Sequence, residues 1–274
     1  MNFIENIKNR AKQEIKTIVL PEAEDIRTLK ATQIALKEKY ANIVLVGNEE
    51  IIKQKAQENN VNIEGATIIN PQTSKDYEKY AQLLYELRKN KGMTIEQAKE
   101  LVLNPVYFGM LMVKDEETKA DGLVSGAAHS TADTLRPALQ ILKTAPDTKL
   151  VSAFFVMVVP DCEYGENGTF IFGDAGLNEN PNPDQLSEIA ISSSKSFEQL
   201  VQKEPKVAML SYSTYGSAHS ASTEKVVEAT KLAKEKAPEL LIDGELQLDA
   251  AIIPEVAEFK AKGSPLKGEA NVLV

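Results

Sequence analysis

The sequence is poor in the side chains that form disulfides and hold transition metals. Its 274 residues include one cysteine, Cys162, and two histidines, His129 and His219. A single cysteine excludes an intramolecular disulfide and a cysteine-based zinc site. The two histidines are not spaced as a metal motif, and no other ligand cluster supports one. We therefore expect a protein without a metal site.

Long apolar runs are also missing. No run approaches the roughly 20 residues that a membrane-spanning helix needs, and the longest is KLVSAFFVMVVP at 149–160. The N-terminus, MNFIENIKNRAKQEIK, has helical amphipathic character but lacks an uninterrupted apolar core and a cleavage signal. These absences predict a cytoplasmic protein with no membrane partner.

An excess of positive charge is absent as well. The 31 Lys+Arg residues against 40 Asp+Glu residues give a net charge of −9. This balance argues against a large nucleic-acid surface, because binding along the phosphate backbone depends on lysine and arginine. With 43% hydrophobic and 26% charged residues, the chain has the composition of an ordinary globular protein with one large or two moderate domains.

The first 70 residues contain several short apolar segments in which polar and apolar residues do not alternate. They predict strands at 17–21, 42–47 and 66–69, separated by helical patterns at 26–40 and 49–59. Buried strands that alternate with helices are typical of a parallel sheet covered on both faces. The predicted fold class is α/β.

Between residues 73 and 113 the pattern is helical. One helix closes with the basic turn Arg88 to Lys91 and a glycine stop at Gly92. The plain interpretation is that Arg88 only complements the negative end of the helix dipole. A second helix is predicted to begin at Thr94, where Gln97 has the spacing of a capping box.

The second half continues the α/β pattern with one antiparallel element. The apolar run at 149–160 and the strand-like run at 169–174 flank a loop that contains Gly165 and Gly168, which predicts an antiparallel hairpin. Further strands are predicted at 206–210, 240–248 and 271–274, and helices at 184–201 and from about Ser222 to 236.

The stretch 121–146, DGLVSGAAHSTADTLRPALQILKTAP, contains the first candidate site. A short strand at 122–124 leads through small residues into a helix predicted at 135–144. Small residues let a ligand approach the backbone, and the unpaired N–H groups at a helix start favour an anion. Hydroxyl groups and one arginine complete a site that suits a phosphate.

The side chains that would contact this phosphate are Ser130, Thr131, Thr134 and Arg136. The alternative is structural: Ser130, Thr131, Asp133 and Thr134 are all potential helix caps, and the glycines of the stretch then serve only its turn. A second hydroxyl-rich and glycine-rich loop, SYSTYGSA at 211–218, also follows a strand and precedes a helix. Ligands of open parallel sheets bind beyond the carboxyl ends of the strands, where both loops are expected.

The sequence resembles the phosphate acetyltransferase (phosphotransacetylase) family over essentially its whole length. The matching blocks are IVLPEAEDIRTLKA, YELRKNKGMT, DGLVSGAAHSTADTLRPALQILKTAP, FFVMVVPDCEYGENGTFIFGDAGLNENP, VAMLSYSTYGSA and DGELQLDAAIIPEVAEFKAKGSPLKGEANVLV. Phosphate butyryltransferases and the phosphotransacetylase-like domain of some malic enzymes are related, but the blocks TADTLRPALQ and DGELQLDAA favour the acetyl enzymes.

The resemblance implies reversible transfer of an acetyl group between acetyl phosphate and coenzyme A, a reaction that serves acetate formation and acetate assimilation alike. It implies no tightly bound cofactor, coenzyme A being a substrate. The implied architecture is two three-layer α/β domains with largely parallel sheets, an active site in the interdomain cleft, and a homodimer. The second domain is inserted in the first in this family. The expected domains are 1–145 and 146–274.

The resemblance also assigns site residues. It implies that Arg136 binds the phosphoryl group and steadies charge on the carbonyl oxygen, and that Arg88 contacts the phosphate end of coenzyme A. The other residues implied in substrate binding are Ser130, Thr131, Ser213, Thr214, Gly216 and Ser217.

The sequence departs from the family at its end. Family members continue beyond the equivalent of NVLV at 271–274 with a block resembling FPDLNAGNI and a later segment of PVNDLSRG type. The resemblance places there an arginine, a serine and an aspartate that is proposed as the base for the coenzyme A thiol. A thiol has a pKa of roughly 8.5, so such a base contributes about 10²–10⁴-fold in rate. We therefore expect a truncated enzyme of low activity.

Two other functions stay open, transfer of a longer acyl group such as butyryl and non-catalytic binding of coenzyme A or phosphate. Cys162 has no neighbouring base in the sequence pattern and is not expected to be a nucleophile. His129 either donates to an anion or packs against the helix start. Asp174 and Asp249 are expected to bond backbone groups at loop ends.

Overall fold

The computed structural model describes residues 3–118, 120–146 and 148–274. The chain divides into two compact units, Met1–Lys143 and Thr144–Val274. Each unit has its own sheet, with four described strands in the first and five in the second, and helices connect the strands. The α/β class expected from the sequence is confirmed, whereas the insertion of one domain in the other stays a prediction.

The first unit begins with a helix and then alternates strands and helices. Its first elements are α1 (Phe3–Gln13), β1 (Lys16–Leu20), α2 (Ile26–Glu38), β2 (Ala41–Val46), α3 (Glu49–Glu58) and β3 (Thr67–Ile69). They are followed by α4 (Tyr77–Arg88), a short 3₁₀ turn (Lys89–Lys91), α5 (Ile95–Val102), α6 (Pro105–Lys114), β4 (Gly122–Leu123) and α7 (Thr131–Ile141).

The four strands of the first unit form a parallel sheet in the order β3-β2-β1-β4. Successive residues of β2 point to opposite faces: Val44 and Val46 pack with α4 to α7, whereas Ile43 and Leu45 pack with α2 and α3. Helices therefore cover both faces, as the unbroken apolar strands predicted. Burial of each such side chain stabilises the fold by about 1.5–3 kcal/mol.

Helix α6 lies against this sheet through a glycine. A Cβ atom at Gly109 would lie 2.7 Å from Leu123 Cδ1 and 3.0 Å from Val19 Cγ1. The absence of a side chain thus lets the helix backbone approach β1 and β4 closely. The same helix begins at Pro105, capped by the side chain of Asn104, which accepts from two backbone N–H groups of its first turn.

The second unit contains a mixed sheet. Its elements are β5 (Phe154–Val158), an irregular helical turn α8 (Tyr164–Asn167), β6 (Thr169–Gly173), α9 (Pro183–Val201), β7 (Lys206–Leu210), α10 (Ala221–Lys236), β8 (Leu241–Leu246), α11 (Leu248–Ile252), α12 (Pro254–Lys260) and β9 (Val272–Leu273). The strand order is β5-β6-β9-β7-β8. Only the β5–β6 pairing is antiparallel among the described strands, which confirms the predicted hairpin.

Strand β9 occupies the middle of the second sheet. It pairs with β6 on one side and with β7 on the other. The backbone of Val274 continues this pairing, since its N–H donates to Ala208 at 3.0 Å and its carbonyl accepts from Leu210 at 2.7 Å. The strand predicted at 271–274 is thereby confirmed, and both of its edges are hydrogen-bonded.

Helix starts were predicted with mixed success. The capping box of Thr94 and Gln97 is confirmed. Helix α10 begins at Ala221, within one residue of the predicted start near Ser222. Its cap is Ser220, whose hydroxyl accepts from the Thr223 N–H while Thr223 Oγ1 accepts from the Ser220 N–H. Helix α7 begins four residues before the predicted position, since Ser130 caps it.

Candidate active site

The first candidate site surrounds the connection between β4 and α7. Ser130 is the N-cap of α7: its hydroxyl accepts from the Asp133 N–H at 3.2 Å and donates to the Asp133 carboxylate at 2.6 Å. Thr131 is the first residue of the helix. The capping alternative therefore holds for Ser130. Both residues are exposed, and the Thr131 side chain is open to a ligand.

A carboxylate of the chain itself fills the turn that was predicted to hold a phosphate. Glu22 accepts the backbone N–H groups of Gly126 at 2.8 Å, Ala127 at 2.7 Å, Ala128 at 2.7 Å and His129 at 2.8 Å. The glutamate is only 7% exposed. The 126–129 turn is therefore an anion-binding turn, as predicted, but its backbone donors serve an internal anion.

Sequence reasoning missed Glu22, although a signal for it was present. The residue follows β1 after one proline, at the carboxyl end of that strand, and β1 pairs with β4. A carboxylate placed there is adjacent to whatever follows β4. Because the two segments are 104 to 107 residues apart in the chain, only the strand order of the sheet shows that they meet.

The charge of Glu22 is strongly stabilised. Burial raises the pKa of this carboxyl, but the backbone N–H groups of Ala128, Ala127 and His129, together with the His129 ring, lower it to about 2. Hydrogen bonds to the charged form outweigh the loss of hydration. Glu22 is thus an anion at every pH at which the protein is expected to work.

His129 takes part in the same arrangement. Its Nδ1 lies 2.9 Å from Glu22 Oε1, and its side chain is 29% exposed. Its other ring nitrogen, Nε2, has no hydrogen-bond partner in the part of the chain that the structure describes. His129 was expected either to donate to an anion or to pack against the helix start. The ring does bond an anion, the buried carboxylate of Glu22, and its other nitrogen is open.

The structure brings the two predicted arginines to one tyrosine. Burial raises the pKa of Tyr107, and the charges of Arg136 and Arg88 lower it, so both guanidiniums lie within electrostatic range of the phenol. The Tyr107 hydroxyl donates to Gln140 Oε1 at 3.0 Å. Gln140 is one helical turn from Arg136 on α7, and the two side chains share a face of the helix.

Both guanidiniums have unused donors. Among the described residues, Arg136 is exposed and has no hydrogen bond or ion pair, and the Nε atom of Arg88 is buried without a partner. A buried N–H group without an acceptor is costly. Arg88 is the last residue of α4, so the dipole interpretation also holds, but it leaves the buried Nε unexplained. Anions bound at the two guanidiniums would satisfy these donors.

The second candidate site is the 213–218 loop, which follows β7 in the second unit. It also encloses a buried glutamate. Glu245 of the neighbouring strand β8 is 3% exposed, and its Oε1 accepts from Ser213 Oγ and from the Gly216 N–H, both at 2.7 Å. The Ser213 hydroxyl in turn accepts from the Ala218 N–H at 3.1 Å.

Hydroxyl groups hold this loop together. Thr214 Oγ1 accepts from the Gln247 N–H at 2.9 Å, and Ser217 Oγ accepts from the Thr214 N–H at 3.1 Å. Ser213 is fully buried and Thr214 is 5% exposed, whereas Gly216 and Ser217 are exposed. Of the four residues predicted here, two are therefore accessible to a ligand.

Three further residues singled out in the sequence have clear positions. Asp249 accepts from the Ala250 N–H at 2.8 Å and pairs with Lys260 at 2.7 Å, which confirms its backbone-bonding role. Asp174 has no hydrogen-bond partner among the described residues, contrary to expectation, and burial raises its pKa. Cys162 is half-buried and unpaired.

The described ranges contain neither a metal-binding cluster nor a membrane-spanning helix. No group of three or more histidine, cysteine, aspartate or glutamate side chains there has a geometry that could hold a metal ion. Within the same residues, no helix combines the length and apolar character needed to cross a membrane.

The sequence matches a family profile and several known proteins along essentially its whole length. The sequence profile described as phosphate acetyl/butaryl transferase matches residues 2–274. A phosphate acetyltransferase from Acetivibrio thermocellus is 62% identical over 274 residues, which are all of this chain and 81% of that protein. One from Thermoanaerobacterium thermosaccharolyticum is 53% identical over the same length and 82% of its own.

The solved structures agree. The EutD phosphotransacetylase from Staphylococcus aureus matches 99% of this chain and 81% of its own, with a TM-score of 0.89 and 44% identity. Similarity in both sequence and fold thus extends along the whole chain, including both candidate loops. The chain belongs to the phosphate acetyl/butaryl transferase family.

Proposed function

We propose that the protein is a phosphate acetyltransferase, an acyltransferase that moves an acetyl group reversibly between acetyl phosphate and coenzyme A. The observation that carries this proposal is the pair of arginines at Tyr107. Arg136 has all its donors unused and Arg88 has an unsatisfied buried Nε among the described residues, in a chain that is 62% identical to a phosphate acetyltransferase. Planar guanidiniums suit phosphoryl oxygens because they bond two of them at once.

Arg136 is proposed as the catalytic arginine. Its guanidinium would bind the phosphoryl group of acetyl phosphate and stabilise the negative charge that develops on the carbonyl oxygen during attack. Thr131, exposed at the start of α7, would donate a hydroxyl hydrogen bond to the same group, with the positive end of the helix dipole adding to the attraction. Ser130, whose hydroxyl donates to Asp133, would hold the start of this helix in place beside the substrate. Arg88 is proposed to contact a phosphate of coenzyme A.

The 213–218 loop is proposed to contribute through its accessible part. Gly216 and Ser217 are exposed and are assigned to substrate contact, most simply with coenzyme A. Ser213 and Thr214 are buried and bonded to neighbouring groups, so we assign them to holding the loop in shape. Coenzyme A enters as a substrate, and no bound cofactor is proposed.

The proposed assembly is a homodimer, and the cytoplasm is the proposed location. Strand β5 is an edge of its sheet among the described strands, and it carries Phe155 at 60% and Met157 at 37% exposure. Phe155 lies opposite Phe172 on β6, which is 37% exposed. An exposed apolar edge favours pairing with another chain. The molar mass in solution, measured by light scattering, tests this assembly.

A spectrophotometric assay tests the proposed activity. Purified protein mixed with acetyl phosphate and coenzyme A should form the thioester. Butyryl phosphate should be a poorer substrate; a preference for it would favour the butyryl alternative. Binding of coenzyme A without any thioester formation would instead favour a non-catalytic module.

Replacement of Arg136 tests the assignment of the site. In Arg136→Ala the concentration of acetyl phosphate needed for half-maximal rate should rise at least about tenfold, because a charged pair with several hydrogen bonds is lost. Arg136→Lys should recover only part of the loss, since lysine lacks the planar fork. Arg10→Ala on α1 is the matched control. An unchanged requirement for acetyl phosphate in Arg136→Ala would place the phosphoryl group elsewhere.

A further inference from the structure

The proposed reaction requires a proton transfer at the phosphate oxygen. When the bond between the carbonyl carbon and the phosphate oxygen breaks, its electrons remain on that oxygen. The phosphate of acetyl phosphate would then depart as a trianion, a strongly basic leaving group. In the opposite direction, hydrogen phosphate must lose its last proton as its oxygen attacks the thioester. A positioned acid–base group at the phosphate would therefore accelerate both directions.

His129 has the geometry of such a group. Its Nδ1 faces Glu22 Oε1 at 2.9 Å, and a carboxylate can only accept, so Nδ1 carries the proton in the neutral ring. The lone pair is then on Nε2, which has no partner among the described residues. The side chain is 29% exposed. In the chain, His129 directly precedes Ser130, the cap of α7.

Glu22 is suited to support a change of charge on this ring. It is 7% exposed and fixed by four backbone N–H groups, so it cannot turn away from the imidazole. An anion held against Nδ1 fixes the tautomer and stabilises the imidazolium when Nε2 takes up a proton. The arrangement is that of a histidine oriented by a carboxylate.

We propose that His129, oriented by Glu22, is the acid–base group at the phosphate in acetyl transfer. This inference rests on the proposed function. In the direction of acetyl-CoA, the thiolate sulfur bonds to the carbonyl carbon, the carbonyl carbon–oxygen bond to phosphate breaks, and the imidazolium Nε2–H gives its proton to the departing oxygen. In reverse, Nε2 removes the proton of hydrogen phosphate as its oxygen attacks and the thiolate leaves.

Charged groups face His129 from three elements. Glu22 follows β1, and Arg27 at the start of α2 donates to the carbonyl of Ala127 in the same turn. Asp133 on α7 lies within electrostatic range of the imidazole. Two carboxylates and one guanidinium thus lie near the ring.

Removal of the imidazole tests the proposal. His129→Ala should lower kcat about 10²-fold or more with acetyl phosphate and coenzyme A, with a smaller effect on the KM for acetyl phosphate. Added imidazole should restore part of kcat with a saturable dependence on its concentration, because it can enter the space left by the ring. His219→Ala, which removes the only other histidine of the sequence, should show no such rescue.

The outcomes separate this inference from the proposed function. If the unmodified protein forms the thioester and His129→Ala retains its kcat, the role of His129 is overturned and the function stands. A loss of kcat without rescue by imidazole or by similar bases, in a variant with unchanged circular dichroism, also overturns it, since a structural role would give that result. Absence of turnover in the unmodified protein would refute the proposed function instead.

Nuclear magnetic resonance of the imidazole supplies a test that needs no turnover. Long-range ¹H–¹⁵N spectra of the labelled protein should show the Nδ1–H tautomer for His129, and added inorganic phosphate should shift its Nε2 signal while leaving that of His219 in place. An Nε2–H tautomer, or a His129 signal that phosphate leaves unmoved, would overturn the proposal.

Discussion

The 126–129 turn of the first unit and the 213–218 loop of the second both bind the carboxylate of a buried glutamate, but they do so with different donors. Each follows a strand into a helix, and each encloses a buried glutamate from the neighbouring strand region, Glu22 beside β1 or Glu245 on β8. The first holds its carboxylate with backbone N–H groups on both oxygens. The second uses one N–H and one hydroxyl, both on a single oxygen.

This difference decides which side chains are left for a substrate. In the 126–129 turn the backbone binds most of the internal anion, so His129 Nε2 and the Thr131 side chain stay available, while the Ser130 hydroxyl caps α7. In the 213–218 loop the hydroxyls of Ser213 and Thr214 are themselves consumed in holding the loop. A hydroxyl-rich loop therefore does not by itself indicate that its hydroxyls bind a ligand.

The largest expected effect comes from Glu22→Gln. Each carboxylate oxygen of Glu22 accepts from two backbone N–H groups. In glutamine one of these oxygens is replaced by an amide nitrogen, which is a donor and cannot accept. Two partly buried N–H groups are then left without an acceptor. We expect the free energy of unfolding to fall by about 3 kcal/mol. Glu245→Gln should cost only about 1 kcal/mol, because the amide oxygen can replace Oε1 for both of its donors. Urea denaturation at pH 7 measures both values.

Glu116→Gln is the control for these variants, since this residue is exposed and should change the stability by less than about 0.5 kcal/mol. Equal decreases in the free energy of unfolding in Glu22→Gln and Glu245→Gln would contradict the proposed difference in how the two carboxylates are bound.

Acid should act on the first of these sites in a defined range. The pKa of Glu22 is lowered from 4.5 to about 2 in the folded protein, so its contribution to stability is complete above pH 4.5 and is lost as the pH falls from about 4.5 towards 2. The contribution amounts to about 3 kcal/mol. The difference in unfolding free energy between the unmodified protein and Glu22→Gln should therefore shrink in acid. A difference that stays constant from pH 7 to pH 3 would contradict the assigned pKa.

A smaller effect should distinguish two serines of the 213–218 loop. Ser213→Ala removes a buried donor to Glu245 and should lower the free energy of unfolding by about 2 kcal/mol while leaving the KM for coenzyme A unchanged. Ser217→Ala, at an exposed position, should affect stability less and raise that KM. Stability curves and initial rates of the two variants, measured together, would show the reverse pattern if the buried hydroxyl contacts the substrate.

The sequence predicted the framework well because its signals are local. Unbroken apolar segments such as Ile43 to Val46 identify buried parallel strands, and the pair Thr94 and Gln97 fixes a helix start through two reciprocal hydrogen bonds. The cap of α10 was harder to identify, because Ser220 and Ser222 both carry hydroxyl groups and only the structure shows that Ser220 bonds Thr223.

The candidate site was harder to predict because its main contacts are distant in sequence. The chemistry of the 126–129 turn was correct in kind, an anion on backbone N–H groups, but the anion belongs to Glu22, more than a hundred residues earlier. Likewise, the convergence of Arg88 and Arg136 on Tyr107 depends on the packing of three helices. Such contacts follow from the strand order and helix packing, which local patterns do not specify.

The central claim is that a substrate phosphate binds outside the 126–129 turn, on the side chains of Arg136 and His129, while Glu22 keeps the backbone donors. Titration of the labelled protein with inorganic phosphate, followed by ¹H–¹⁵N spectra, tests it directly. If phosphate binds in this way, the Arg136 Nε–H and the His129 ring signals will shift with a common saturation curve, whereas the backbone amide signals of residues 126–128 will move little. Largest shifts at those three amides would mean that phosphate displaces Glu22, and would contradict it.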